Sequence, residues 1–397
     1  MKWIRVASFG LMAFLAGGMA SYADGRTREP FELVRSLNAL QDEIARGSSA
    51  AHAAQQTLMA SISAELARVE PERWKDPRNQ RAAVLYVLSG GDPRILRQLL
   101  GLGHQPGQNE DMAKGALAYA EGRNAEAAKH LAAVDARSLE RGLAGAVALV
   151  QATLVAKTEP KKAMPLLDAA RLLAPGTLVE EVALRRHILL LPTVGQLDRL
   201  DQLLTRYVRQ FGRSYYASVF WWQLGAEIAA LDRAEDPSRH AQLGAILDLL
   251  DPDGRQQAYL AIAHEGIKRG KVRLARFAAG KAIEAVPAGS PGEQRAKLYE
   301  AAALIVTDEH PRGLSDLAGI ARDKLPEPDA VLLDAAIGVA QQIRRLSEPG
   351  PTLTDAVLPA GRFADRVREF SEIGLRAVAR AQTLMTNVDS ILSGQTR

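Results

Sequence analysis

Ala275-Arg-Phe-Ala-Ala-Gly-Lys-Ala-Ile-Glu-Ala-Val-Pro287 has small residues at 275, 279 and 282 and a proline at 287. On a helix those three positions lie on one face, one above another. Small side chains there let a second helix approach closely. Pro287 then stops the helix, because it lacks an N–H and clashes with the preceding turn. This is the second-helix pattern of a tetratricopeptide-type repeat. The spacing recurs at Ala163, Leu167, Ala170 and Pro175, and with a larger first residue at Leu314, Ala318, Ala321 and Pro326. Leu200, Leu204, Tyr207 and Gly212 fit it with Gly for Pro, and Ala127, Leu131, Val134 and Leu139 fit it more weakly. The closing positions 139, 175, 212, 287 and 326 step by about 37 residues, with one double step that Pro252 fills. The bulky aromatic of the motif is mostly absent. The expected fold is therefore all-α, an α-solenoid of tetratricopeptide-like helical hairpins, with an irregular helical array as the alternative.

Upstream, Leu33, Leu37, Leu40 and Ile44 form one apolar helical stripe. Ala51, Ala54, Leu58, Ile62, Leu66 and Val69 form a second, across a turn that begins with Gly47. Asp253-Gly254 is the nearest thing to a hairpin turn, but the run before it is helical rather than alternating. Residues 24–103 read as N-terminal helical hairpins and 104–346 as the repeats, opening with a polar loop at 104–111. Residues 347–361 hold Pro349, Pro351 and Pro359 and read as a linker. Residues 362–397 read as a C-terminal amphipathic helix. Its stripe is Phe363, Val367, Phe370, Leu375 and Val378, ringed by arginines that are either a solvated face or a contact for acidic partners or anionic lipid.

The N-terminus reads as an address. Lys2 and Arg5 precede an apolar run, and Ser21 and Ala23 stand at −3 and −1 of a cut before Asp24. Residues 1–23 are the expected cleaved secretory signal, since the run is short for a membrane span and is interrupted by Gly17-Gly18. Removing Lys2 and Arg5 from 50 basic residues leaves 48 against 46 acidic ones, too balanced for a nucleic-acid partner. With no cysteine, thiolate metal sites, iron–sulfur clusters and a cysteine nucleophile are excluded.

Catalytic patterns do not assemble. His264-Glu265 opens like a zinc-protease helix, but Lys268 stands where the second histidine is needed. Leu249 and Leu260 occupy the ligand ends of the calcium-loop alignment around Gly254. Glu180 and Glu181 point about 100° apart on a helix and read as solvated surface. No catalytic, cofactor or metal site is expected. One outlier remains: Tyr207, Phe211, Tyr215, Tyr216, Phe220, Trp221 and Trp222, all within 16 residues. They are either local core or a partner-binding surface, with Tyr215, Tyr216, Phe220, Trp221 and Trp222 as the candidate contacts.

Four stretches carry a resemblance: Pro30-Phe-Glu-Leu-Val-Arg-Ser-Leu37, Trp74-Lys-Asp-Pro-Arg-Asn79, Val87-Leu-Ser-Gly-Gly-Asp-Pro-Arg94 and Leu172-Leu-Ala-Pro-Gly-Thr-Leu-Val-Glu-Glu181. In order and spacing they resemble the MotC family of periplasmic flagellar motility proteins, over about residues 30–380. The resemblance implies a soluble periplasmic protein required for motor rotation, binding the periplasmic part of the stator subunit MotB without catalysis. It supplies no site residues. A monomer is expected. The rival readings are a generic helical-repeat factor of envelope assembly and, far behind, a lytic transglycosylase, for which the residues after the linker are too few.

Overall fold

The computed structural model describes residues 28–103, 110–232 and 235–347, with side chains described to residue 344. The signal segment, residues 104–109 of the polar loop, the linker from residue 348 and the C-terminal amphipathic helix lie outside these residues. All regular structure among the described residues is helical. The first elements are α1 Pro30–Ala45, α2 Ser49–Leu66, α3 Pro77–Leu88, α4 Arg94–Gly101, α5 Glu110–Ala120 and α6 Asn124–Leu131. Next come α7 Arg141–Val155, α8 Pro160–Leu173, α9 Leu178–Val194, α10 Leu200–Phe211, α11 Ala217–Leu231 and α12 Pro237–Leu247. The last are α13 Pro252–Lys268, α14 Val272–Glu284, α15 Pro291–Leu304, α16 His310–Ala318 and α17 Glu327–Ser347.

The helix starts are written locally. An Asp-Pro or Ser-Pro pair opens α3, α12, α13 and α15: Asp76, Asp236, Asp251 or Ser290 accepts a backbone N–H of the first turn, and proline fills the first helical position. An N-terminal amide has no partner within its helix, so a side-chain acceptor is worth about 1 kcal/mol and proline loses nothing there. Pro252 thus opens α13, and the apparent calcium loop is the cap of that helix.

The helices stack as an array. The pairs α5–α6, α7–α8, α9–α10, α13–α14 and α15–α16 are packed hairpins. One row of helices runs α7, α9, α11, α13, α15, each packed on the next, and α10, α12 and α14 form a second row beside it. The alanine pattern explains how close the helices come. Ala163, Ala170, Ala275, Ala279 and Ala282 are fully enclosed, as are Ala258, Ala261 and Ala263 on the facing α13. Gly225 lets α11 cross α13, since a Cβ there would sit 2.9 Å from the carbonyl oxygen of Ala261. The pattern is shifted by one residue in α16. Gly313 and Leu317 are the buried positions there, while Ala318 is exposed.

Apolar burial falls into two clusters. One joins α1, α3, α5 and α7 around Trp74, Tyr86 and Leu99. The other runs from α9 to α17 around Tyr207, Trp221, Tyr259 and Tyr299. α9 serves both, with Ala183 in the first cluster and Leu184, Ile188 and Leu191 in the second. α1 packs on α3 and also on α9, so the first hairpin is seated within the array. The described residues up to Ala340 belong to one compact unit.

Candidate partner-binding face

The aromatic segment divides along the helical period. Tyr207 and Phe211 end α10, and Phe220 and Trp221 lie on the inner side of α11, with relative exposures of 0% and 1%. The Tyr207 ring lies 4.4 Å from Phe220 and edge-on to Trp221 at 5.6 Å. Phe220 and Trp221 are therefore core, and their assignment as partner contacts is corrected. Both face the cluster shared by α9, α10 and α13, and neither has area left to offer a partner.

Val219 and Trp222, three residues apart, share one face of α11 pointing away from that core, and Tyr215 stands in the turn just before the helix. Tyr215, Val219 and Trp222 are 43%, 55% and 38% exposed. Two large apolar groups on a helix packed from behind, with a third in the turn that leads into it, form an exposed apolar stripe. Its two ends touch imidazoles. The His52 ring stacks on Tyr215 at 3.7 Å and 14°. At the other end His264 of α13 meets Trp222 edge-on at 5.0 Å. Tyr216 is turned aside and half-buried beneath the guanidinium of Arg185 at 5.5 Å, and burial raises its phenol above the ordinary range.

The support behind the stripe is polar and enclosed. Glu180 and Glu181 are fully buried, contrary to the solvated surface expected of them. Glu180 accepts from Arg206 Nε at 2.7 Å, the Gly176 N–H at 2.7 Å and Gln210 at 3.1 Å. Glu181 accepts from the Tyr207 hydroxyl at 3.0 Å and pairs with Arg185 at 2.8 Å. The two carboxylates do point apart, each toward its own partners. A buried charge is tolerated only with such partners, so the pair fixes the packing of α9 against α10. The missed signal was their position inside the first turn of a helix, next to the Thr177 cap.

The His264-Glu265 motif is also spent on structure. Lys268 reaches Glu265 at 2.8 Å and His264 Nδ1 lies 3.4 Å from it. Burial pushes the Glu265 carboxyl up, but these hydrogen bonds outweigh it and hold the group at about 2. Elsewhere, His240 pairs with Asp232 at 2.6 Å beside a cavity of about 260 Å³ walled by Leu200, Leu204, Ile228 and Leu243.

A family model described as chemotaxis protein MotC matches residues 2–396. The chain belongs to the MotC family. Among relatives, the chemotaxis protein MotC of Rhizobium meliloti (strain 1021) is 28% identical over 379 residues, covering 93% of this chain and 86% of that one. No solved structure matches the fold. This MotC-family chain is thus a motility- and chemotaxis-related protein built as an all-α array. Among the described residues no helix is long and apolar enough to cross a membrane.

Proposed function

We propose that this MotC-family protein is a periplasmic, non-enzymatic scaffold required for flagellar rotation, and that it binds the periplasmic part of the stator subunit MotB. The observation that carries the reading is the exposed Tyr215–Val219–Trp222 stripe, held on a rigid helix of an α-solenoid in a motility family. Tyrosine and tryptophan give large contact area at low conformational cost, which is why they dominate interface hot spots. Charged groups of the neighbouring helices are already paired, Glu181 with Arg185 and Glu265 with Lys268. That arrangement suits docking better than proton transfer. The scaffold acts by mass action, favouring whichever conformation of the partner it binds better. The sequence of residues 1–23 supports export, and finding Asp24 at the N-terminus of the protein purified from its own cells tests it.

The test of function is capture of partners from a periplasmic extract by residues 24–397. Recovery of the MotB periplasmic part, abolished by Tyr215→Ala with Trp222→Ala, supports the reading. Recovery of envelope-assembly factors instead overturns it in favour of a generic scaffold. A deletion strain that keeps its flagella but does not swim is the matching expectation in cells, and normal swimming refutes it.

A further inference from the structure

The tip of the first hairpin makes contacts that a simple terminal cap does not need. The Asp42 carboxylate accepts the backbone N–H of Leu178, the first residue of α9, at 3.1 Å. The Ile44 carbonyl, in the last turn of α1, accepts the backbone N–H of Tyr215 at 3.2 Å, just ahead of α11. The Leu178 amide is the first of its helix, which offers it no acceptor, and the Tyr215 amide lies in the turn that leads into α11. The α1 tip therefore caps α9 and ties down the turn into α11, both far along the chain. Gly47 seats the turn. It has φ +103°, and a Cβ there would run into the carbonyl oxygen of Arg213, so only glycine permits the approach. His52 closes the contact by stacking on Tyr215. The same helix divides its burial: Leu33, Val34 and Leu37 belong to the first apolar cluster and Ala45 to the second.

We propose that the α1–α2 turn, residues 42–52, is a brace that ties the starts of α9 and α11 to the first hairpin and sets the position of the exposed α11 stripe. Two consequences follow from the geometry. First, α1 covers the face between α3 and α9, so the ground open to a partner begins at Tyr215. Second, Tyr215 belongs both to the brace and to the stripe. Docking of the turn and binding at the stripe are thus coupled, and by linkage each changes the other by the same factor. The coupling rests on the proposed docking function. The brace does not, and its tests use no partner.

The chain contains no cysteine, so an introduced pair reports without background. In the full-length protein, His52→Cys with Tyr215→Cys is expected to give an intramolecular adduct with a short bis-maleimide, and failure to cross-link in the folded protein overturns the brace. The second test is amide hydrogen exchange in Gly47→Val. Exchange at Leu178 and Tyr215 is expected to rise about tenfold or more while the amides inside α13 keep their protection. Unchanged exchange at both positions overturns the proposal. Should Gly47→Val fail to fold, Asp42→Ala removes a single acceptor and is expected to raise exchange at Leu178 about tenfold, and no rise there is equally fatal.

Discussion

Trp221 and Trp222 are neighbours with opposite tasks. Trp221 is enclosed against Tyr207 and Phe220, while Trp222 is exposed beside His264. Trp221→Ala should cost about 3–5 kcal/mol in urea denaturation, because it empties a site the surroundings cannot refill. Trp222→Ala should change stability by no more than about 0.5 kcal/mol and yet remove partner capture. Equal losses of stability would contradict the division. His187 gives a second expectation. Burial holds its imidazole at about 4, below the usual 6.5, although Asp168 lies 3.7 Å away and pulls the other way. Between pH 6.5 and 4 the unfolded chain takes up a proton that the folded one refuses. The His187 contribution to stability should therefore fall as pH drops through that window and level off below it, where carboxylates such as Glu265 take over the loss. His187→Leu should flatten that part of the curve, read as the difference in urea midpoint between variant and parent; Arg171 and Arg199, also near this ring, stay charged throughout. Little of this was legible in the residues alone. The aromatic cluster was visible, but which member of each adjacent pair faces inward depends on where α11 meets α9 and α13. Glu180 and Glu181 read as surface because composition does not reveal Arg206, Tyr207 and Gln210 waiting on the next helix, beside Arg185 one turn along their own.

Helix α14 shows what the spacing of small residues can foretell: every pattern alanine in it is buried. Helix α16 shows the limit. Its period was right, but its phase was off by one: Gly313, set against Ala301 and Leu304 of α15, and Leu317 are the buried positions, while Leu314 is only partly buried and Ala318 is exposed. Phase is decided by the neighbour, and a single chain segment carries only the period. Helix starts are local as well, through Asp-Pro and Ser-Pro pairs, although Pro252 reads in the period as the close of a repeat and in the structure opens α13. Long-range close approaches were not legible. Gly225 stands mid-helix, where glycine disfavours helix by about 1 kcal/mol, and only the crossing with α13 explains it. Gly225→Val should push α11 off Ala261 and lower stability by about 1–3 kcal/mol, measured by thermal and urea unfolding. A gain in stability would show that the helices separate freely at this crossing.

Across the described unit, α9 contributes to both apolar clusters, as α1 and α8 also do. An array held only by nearest neighbours can melt from one end. Here Trp74 reports the first cluster and Trp221 the second. With the other tryptophans replaced, each should show the same urea midpoint. Leu184→Ala, an enclosed side chain in α9, should lower both midpoints together by about 2–5 kcal/mol of stability. Separate midpoints would mean that the clusters unfold independently. The array itself was readable because a repeat announces itself by its period. The link from α1 to α9 and α11 was not, because it joins Asp42 to Leu178 across 136 positions and repeats nowhere. That separation also orders events in time. Hairpins close from short loops as soon as their two helices exist, whereas the tip of α1 has no seat until the chain has been made through Tyr215. The first of the described helices is thus among the last to settle fully: its stripe, Leu33, Val34 and Leu37, can pack early with α2 and α3, while its tip waits for a partner made far later.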